Sequence, residues 1–252
     1  MKFSYEDLIS GDAIPVNGVG HLKSPFLWQL KPTKGIGTWT YNLYVNVLVW
    51  NKTDFLKFAR TTSGRSLSQL DNEKLTTFDS MTLIDFMREL LQNAMAFFMQ
   101  EHLRWNASKR CFIAQTDDGQ DVGCIDRDNF EDVRDMMLQL NYIGIGKDAK
   151  PLRHSSKEAE ALWERAQQYL KNESSKAPKD KTTSIGNIIS KLCAASTSYN
   201  LANIYDLTIF QLYDQFFQYG YLRAMNLNEM AFCNRGGKNF DMQAWLKPLT
   251  NF

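Results

Sequence analysis

Four cysteines in 252 residues are too sparse to staple a fold, since disulfide-built domains carry thiols at much higher density. Cys111, Cys124, Cys193 and Cys233 are also too scattered for a CxxC metal pair. Cys111 and Cys124 alone could face each other, across a hairpin, and in a reducing compartment they are expected as thiols. Histidine is scarcer still. His21, His102 and His154 form no H-x-x-x-H pair, which removes the commonest zinc signature. Neither sign of charge is in excess: 29 Lys and Arg against 28 Asp and Glu give a net charge of +1. The totals therefore provide no basic surface for non-specific nucleic-acid binding. No apolar run approaches the ~18–20 residues of a membrane span. Glu6 and Asp7 stand where a secretory signal needs apolar residues. These absences lead to the expectation of a cytoplasmic protein without a membrane anchor.

What remains is a globular composition, 44% hydrophobic and 23% charged, with material for a large core. Ala13–Val16 and Val19–Leu22 flank Asn17-Gly18, a pair suited to the two positive-φ positions of a type I′ turn. Pro15 places the first of these strands at an edge, and the first 32 residues as a whole look β-like. The short run Phe26–Leu30 fits either a strand or a helical turn. From Gly37, the stripe Trp39, Leu43, Val47 and Trp50 predicts a helix whose apolar face Tyr41, Tyr44, Val45 and Leu48 widen. Asp54 is placed to cap a short helix over 55–60. A longer helix is expected from Thr76 or Thr77 to about Leu103, striped by Met81, Ile84, Met87, Leu91, Met95 and Phe98.

Two short strands around Asp117-Asp118-Gly119 predict a second hairpin over 111–125. Asp128 then reads as the N-cap of a helix from 129 to about 140, with Glu131 in the capping-box position and Phe130, Val133, Met137 and Leu140 inward. A charged amphipathic helix over 155–172 leads into a basic linker, 171–183, without large apolar residues. Beyond it, Ile185, Ile188, Ile189 and Leu192 stripe one helix, and Ile204, Leu207, Phe210, Tyr213 and Phe217 another. The expected fold is mainly α with two small β-hairpins, an α+β class with a helical body behind the N-terminal hairpin. Its expected division is 1–172, the linker 171–183, and a helical region 184–252.

Motifs for chemistry fail on spacing. Gly144-Ile145-Gly146-Lys147 and Gly236-Gly237-Lys238 lack the distal glycine and the following Ser or Thr of a phosphate loop: Asn141 and Asp148 stand there in one, Phe232 and Asn239 in the other. In the acidic run Asp117, Asp118, Asp121, Asp126, Asp128, Glu131, Asp132 and Asp135, counting back from Gly119 puts Ala114 where a calcium loop needs its first oxygen. Turn and capping roles suit these carboxylates. No catalytic group, cofactor or metal site is assigned. Arg60–Arg65 and the linker lysines are basic, and Trp28, Trp39 and Trp50 could stack on bases, but a solvated linker and core tryptophans are the simpler expectation.

The candidate site is a protein-binding one, on a helix expected over 203–220. Phe210, Tyr213 and Phe217 make an aromatic stripe, while Gln211, Gln215 and Gln218 give a second face that hydrogen-bonds without desolvating a full charge. The stripe serves either as core or as interface.

Several blocks of the chain together resemble a known group. They are Ser10-Gly11-Asp12-Ala13-Ile14-Pro15-Val16, Gly35-Ile36-Gly37 with Tyr41-Asn42-Leu43-Tyr44, Ile125–Phe130 leading to Gln139–Tyr142, and Ile204–Phe216. The pattern resembles proteins of the tail-morphogenesis region in phages and prophages of Gram-positive bacteria, and its hairpin-then-helices opening is similar to tail assembly chaperones. The resemblance implies a non-enzymatic assembly factor of the host cytoplasm that coats the tape-measure protein, helps tail-tube subunits polymerise around it, and has scope to self-associate. The chain exceeds many small tail chaperones in length, which leaves a virion structural protein of the tail or neck as one alternative. A phage-encoded nucleic-acid-directed or inhibitory protein is another.

Overall fold

Ser4 starts the first element, because its hydroxyl accepts the Asp7 N–H at 3.2 Å while the Asp7 carboxylate accepts the Ser4 N–H at 3.3 Å. This reciprocal cap launches helix α1, Tyr5–Ser10, which Gly11 ends in the left-handed region at φ +78°. In a stretch whose pattern reads as β, six residues are thus helical, held by a cap that hydrophobic periodicity does not register. The computed structural model describes residues 3–56, 75–143 and 184–235.

Strands β1, Ile14–Val16, and β2, Gly20–Leu22, form the expected N-terminal hairpin. Val16 pairs with Gly20, so the loop holds three residues and closes through Val19 N–H to Val16 O at 3.0 Å. The two-residue type I′ turn is therefore not what forms: Gly18 has a positive φ and Asn17 does not. The tip of this hairpin meets the second sheet at Gly123, where a Cβ would lie 2.6 Å from Gly18 O. A side chain at 123 would push the two apart.

The run Phe26–Leu30 resolves as a 3₁₀ turn, Leu27–Leu30. Helix α2, Gly37–Val49, forms as the pattern predicts but buries a different stripe. Tyr41, Val47 and Leu48 are inside, and Trp39 is 76% exposed. Apolar residues surround this helix, so periodicity could not choose the face. At 52–56 the chain is helical, with Asn51 Oδ1 accepting the Asp54 N–H at 3.0 Å. Asn51 thus takes the capping role expected of Asp54, which sits inside the turn.

The predicted long helix is two helices: α3, Thr77–Thr82, and α4, Asp85–Phe97. Ile84 between them is extended, and Thr82 Oγ1 donates to Phe78 O at 2.9 Å at the end of α3. Leu103 is no part of a helix. It lies in β3, His102–Asn106, paired with Ala114. Strand β3 joins β4, Cys111–Gln115, and β5, Asp121–Ile125, so the second hairpin belongs to a three-stranded antiparallel sheet of order β3-β4-β5. Cys111 and Cys124 are both free thiols; Cys124 pairs in register with Ile113 and Cys111 with Asn106.

Helix α5, Phe130–Gln139, begins one residue later than expected. Asp126 Oδ1 accepts the N–H groups of Asp128 and Asn129 at 2.9 and 3.2 Å, and Asn129 Oδ1 accepts the Asp126 N–H at 2.9 Å. This loop makes Asp126 and Asn129 the turn builders in place of Asp128. The core gathers around Phe78, whose ring lies 5.2 Å from Phe130 and 5.8 Å from Phe112, both fully enclosed. Such ring pairs add about 0.5–1.5 kcal/mol beyond area burial.

Helix α6, Ile185–Ala195, and helix α7, Ile209–Arg235, complete the described elements. The chain makes two compact units, residues 1–144 with 205–211, and residues 145–204 with 212–252. The expected helix over 155–172, the linker 171–183 and both Gly-Lys segments lie outside the described residues. The fold is α+β, mainly helical, with two small antiparallel sheets and the N-terminal hairpin in place.

Candidate protein-binding surface

Helix α7 starts at a reciprocal cap. Thr208 Oγ1 accepts the Gln211 N–H at 3.2 Å, and Gln211 Oε1 accepts the Thr208 N–H at 2.9 Å. The helix therefore begins at Ile209, six residues after the expected start at Asn203; residues Ile204–Asp206 form only a 3₁₀ turn. The other end of the Gln211 amide donates to Ile9 O at 2.8 Å. Phe210 is fully buried, with its ring 5.2 Å from that of Tyr142, and its N–H donates to Ser24 Oγ at 3.2 Å. These two members of the predicted surface are engaged within the first unit.

The remaining members belong to the second unit. Tyr213, Gln215 and Gln218 are half-buried, and Phe217 is 48% exposed. Burial pushes the Tyr213 phenol above its usual range. Leu212 and Asp214 are buried beside this set. The Phe216 and Phe217 rings stand 5.8 Å apart, and the Lys191 ammonium of α6 lies 5.9 Å from the Phe216 ring. On α6, Ile185, Ile188, Ile189 and Leu192 are buried as their spacing predicts.

Beyond Phe217, α7 carries Leu222 and Met230 exposed, with Arg223, Asn226, Glu229 and Cys233 also open to solvent. None of these appears in the stripe that first suggested a surface. The signal that would have found them is a helical repeat of 219, 222, 226, 229 and 233 continuing past Gly220.

The first unit shows the polar groups from which chemistry would have to be built. His21 and His102 each meet a carboxylate that linear spacing did not reveal: His21 Nδ1 is 2.6 Å from Glu101 Oε1, and His102 Nε2 is 3.1 Å from Asp117 Oδ1. Glu101 is buried and also accepts the His21 N–H at 2.9 Å. Burial alone would raise its carboxyl, but the His21 N–H and ring outweigh that and hold it below the usual carboxylate range. Burial and the neighbouring Cys124 raise the Cys111 thiol. The acidic run is spent on turns: Asp118 accepts the Thr116 hydroxyl, and Asp121 accepts the Gln115 amide at 2.6 Å. Among the described residues no group of three His, Cys, Asp or Glu side chains could hold a metal ion, and no helix is long and apolar enough to cross a membrane. Trp39 and Trp28 are exposed, contrary to the expectation that the tryptophans are core.

Residues 175–250 match a family model described as the YomV second domain, a phage/prophage-type family. The matched span holds α6 and nearly all of the described second unit. No curated protein and no solved structure matches the chain. The match points to a phage-related protein.

Proposed function

We propose that this protein is a phage assembly factor that works by holding a partner protein on α7, with the tape-measure protein as that partner and tail-tube subunits as the polymer whose growth it assists. The observation that carries the reading is the coincidence of the YomV second-domain match with exposed apolar side chains, Phe217, Leu222 and Met230, on one 27-residue helix. Amphipathic surfaces of this kind suit an extended helical partner, because apolar anchors at helical spacing seat in the partner's grooves. The amides of Gln215 and Gln218 add hydrogen bonds at the rim without the desolvation cost of a charge. In this reading the protein acts by binding in the host cytoplasm, and no covalent step is required of it.

The test is co-purification of the full chain with the tape-measure protein encoded beside it. Phe217→Ala is expected to weaken that complex about tenfold or more, as truncation of an aromatic anchor does, with an unchanged melting temperature. A chain that binds neither tape measure nor tail-tube subunits at tens of micromolar would overturn the proposal.

A further inference from the structure

The exposed side chains on the second half of α7 are arranged about Asn226. At 100° per residue, Leu222, Arg223, Glu229, Met230 and Cys233 all project within about 60° of the Asn226 direction. All six are exposed. They also form complementary pairs about that residue. Arg223 lies three positions before it and Glu229 three after; Leu222 lies four before and Met230 four after. Among the described residues neither Arg223 nor Glu229 has an ion-pair partner. A face whose two halves are charge-opposite and apolar-matched is complementary to itself turned end over end.

We propose that a second copy of this chain occupies this face, the two α7 helices packing antiparallel about a two-fold axis at Asn226. In an isologous contact residue i meets j and j meets i. Helix axes about 8–10 Å apart bring residues at equal and opposite distances from the axis to the same height. Arg223 then faces Glu229 of the second copy twice, Leu222 packs on its Met230 twice, and the Asn226 amides, each donor and acceptor, pair across the axis. A parallel arrangement lacks this matching, since it sets Arg223 beside Arg223 and Glu229 beside Glu229. The dimer does not depend on the tape-measure reading, and purified chain alone decides it.

Sedimentation equilibrium of the full-length protein is expected to show a monomer–dimer equilibrium. Arg223→Glu or Glu229→Arg alone should raise the dissociation constant at least about tenfold by setting like charges together twice. Combining the two reversals should restore it to within about threefold of the parent, while circular dichroism shows all three variants folded. Asn226→Cys, at the axis, should form a disulfide dimer under mild oxidation. Cys233 should not join its own copy, because 14 residues of helix hold the two thiols about 21 Å apart. A parent chain that stays monomeric at 200 µM, single reversals that leave the constant unchanged, a double reversal that fails to restore it, or a Cys233–Cys233 disulfide would each overturn the proposal.

Discussion

Glu101 carries more than its exposed neighbours. Its carboxylate is buried, accepts the His21 N–H at 2.9 Å and meets the His21 ring at 2.6 Å, and sits against the bare Cα of Gly20, where a Cβ would come within 2.8 Å of Oε2. The contacts fix β2 to the segment before β3, where Leu22 bridges Met99. Because the folded-state pKa of Glu101 is lowered, its stabilisation is fully present above the unfolded value of about 4.3 and fades as pH falls through the lower folded value. Glu101→Gln should therefore cost about 1–3 kcal/mol near neutral pH and remove part of the acid sensitivity. Urea unfolding between pH 3 and 7 checks this: the parent and variant curves should converge on acidification, and parallel curves would contradict the assignment. Gly20→Ala should also destabilise, since φ is +126° there and the new methyl meets the carboxylate.

At the scale of elements, glutamines that look equivalent in sequence have different jobs. Gln211 closes the α7 capping box and reaches Ile9 O, whereas Gln215 and Gln218 are half-buried side chains farther along the same helix. Gln211→Ala should lower stability by about 1–2 kcal/mol through lost capping. Gln218→Ala should stay within about 0.5 kcal/mol, a contrast that chemical denaturation reads directly. Helices α3 and α4 teach a related lesson. A continuous methionine stripe passes through an extended Ile84, because Met81 and Met87 are both buried although a break lies between them. Helical spacing reports which side chains go inward and not whether the backbone between them is unbroken.

On the scale of the whole molecule, the segment 205–211 decides what the first unit needs in order to be complete. Leu27 N–H donates to Leu207 O at 2.8 Å, Ile209 N–H to Pro25 O at 2.8 Å, and Phe26 bridges Thr208. Ser24 Oγ accepts from Phe210 N–H while donating to Leu140 O at 3.0 Å. The unit is thus discontinuous in sequence. Phe210→Ala should cost about 3–5 kcal/mol, the range for emptying a buried aromatic site. A chain ending at Ile204 should melt lower than the full chain, because its first unit has lost that ring and those hydrogen bonds. Equal melting of truncated and full chains would show the segment to be dispensable.

The amino-acid sequence by itself determined the class of fold and the position of most elements. Short-range rules suffice there: turn residues at Gly18 and Gly119, and 3.6-residue stripes through α4, α5 and α6, act between neighbours in the chain. The resemblance to phage tail-region proteins met a phage-family match over 175–250, while the partner remained to be proposed. Tertiary structure decided whatever depends on pairs distant in sequence. Which face of α2 turns inward, why Glu101 seeks His21 across 80 residues, and why Phe210 is core while Phe217 is surface were settled by what packs opposite. Burial is a property of two surfaces meeting, and a single chain segment carries only one of them.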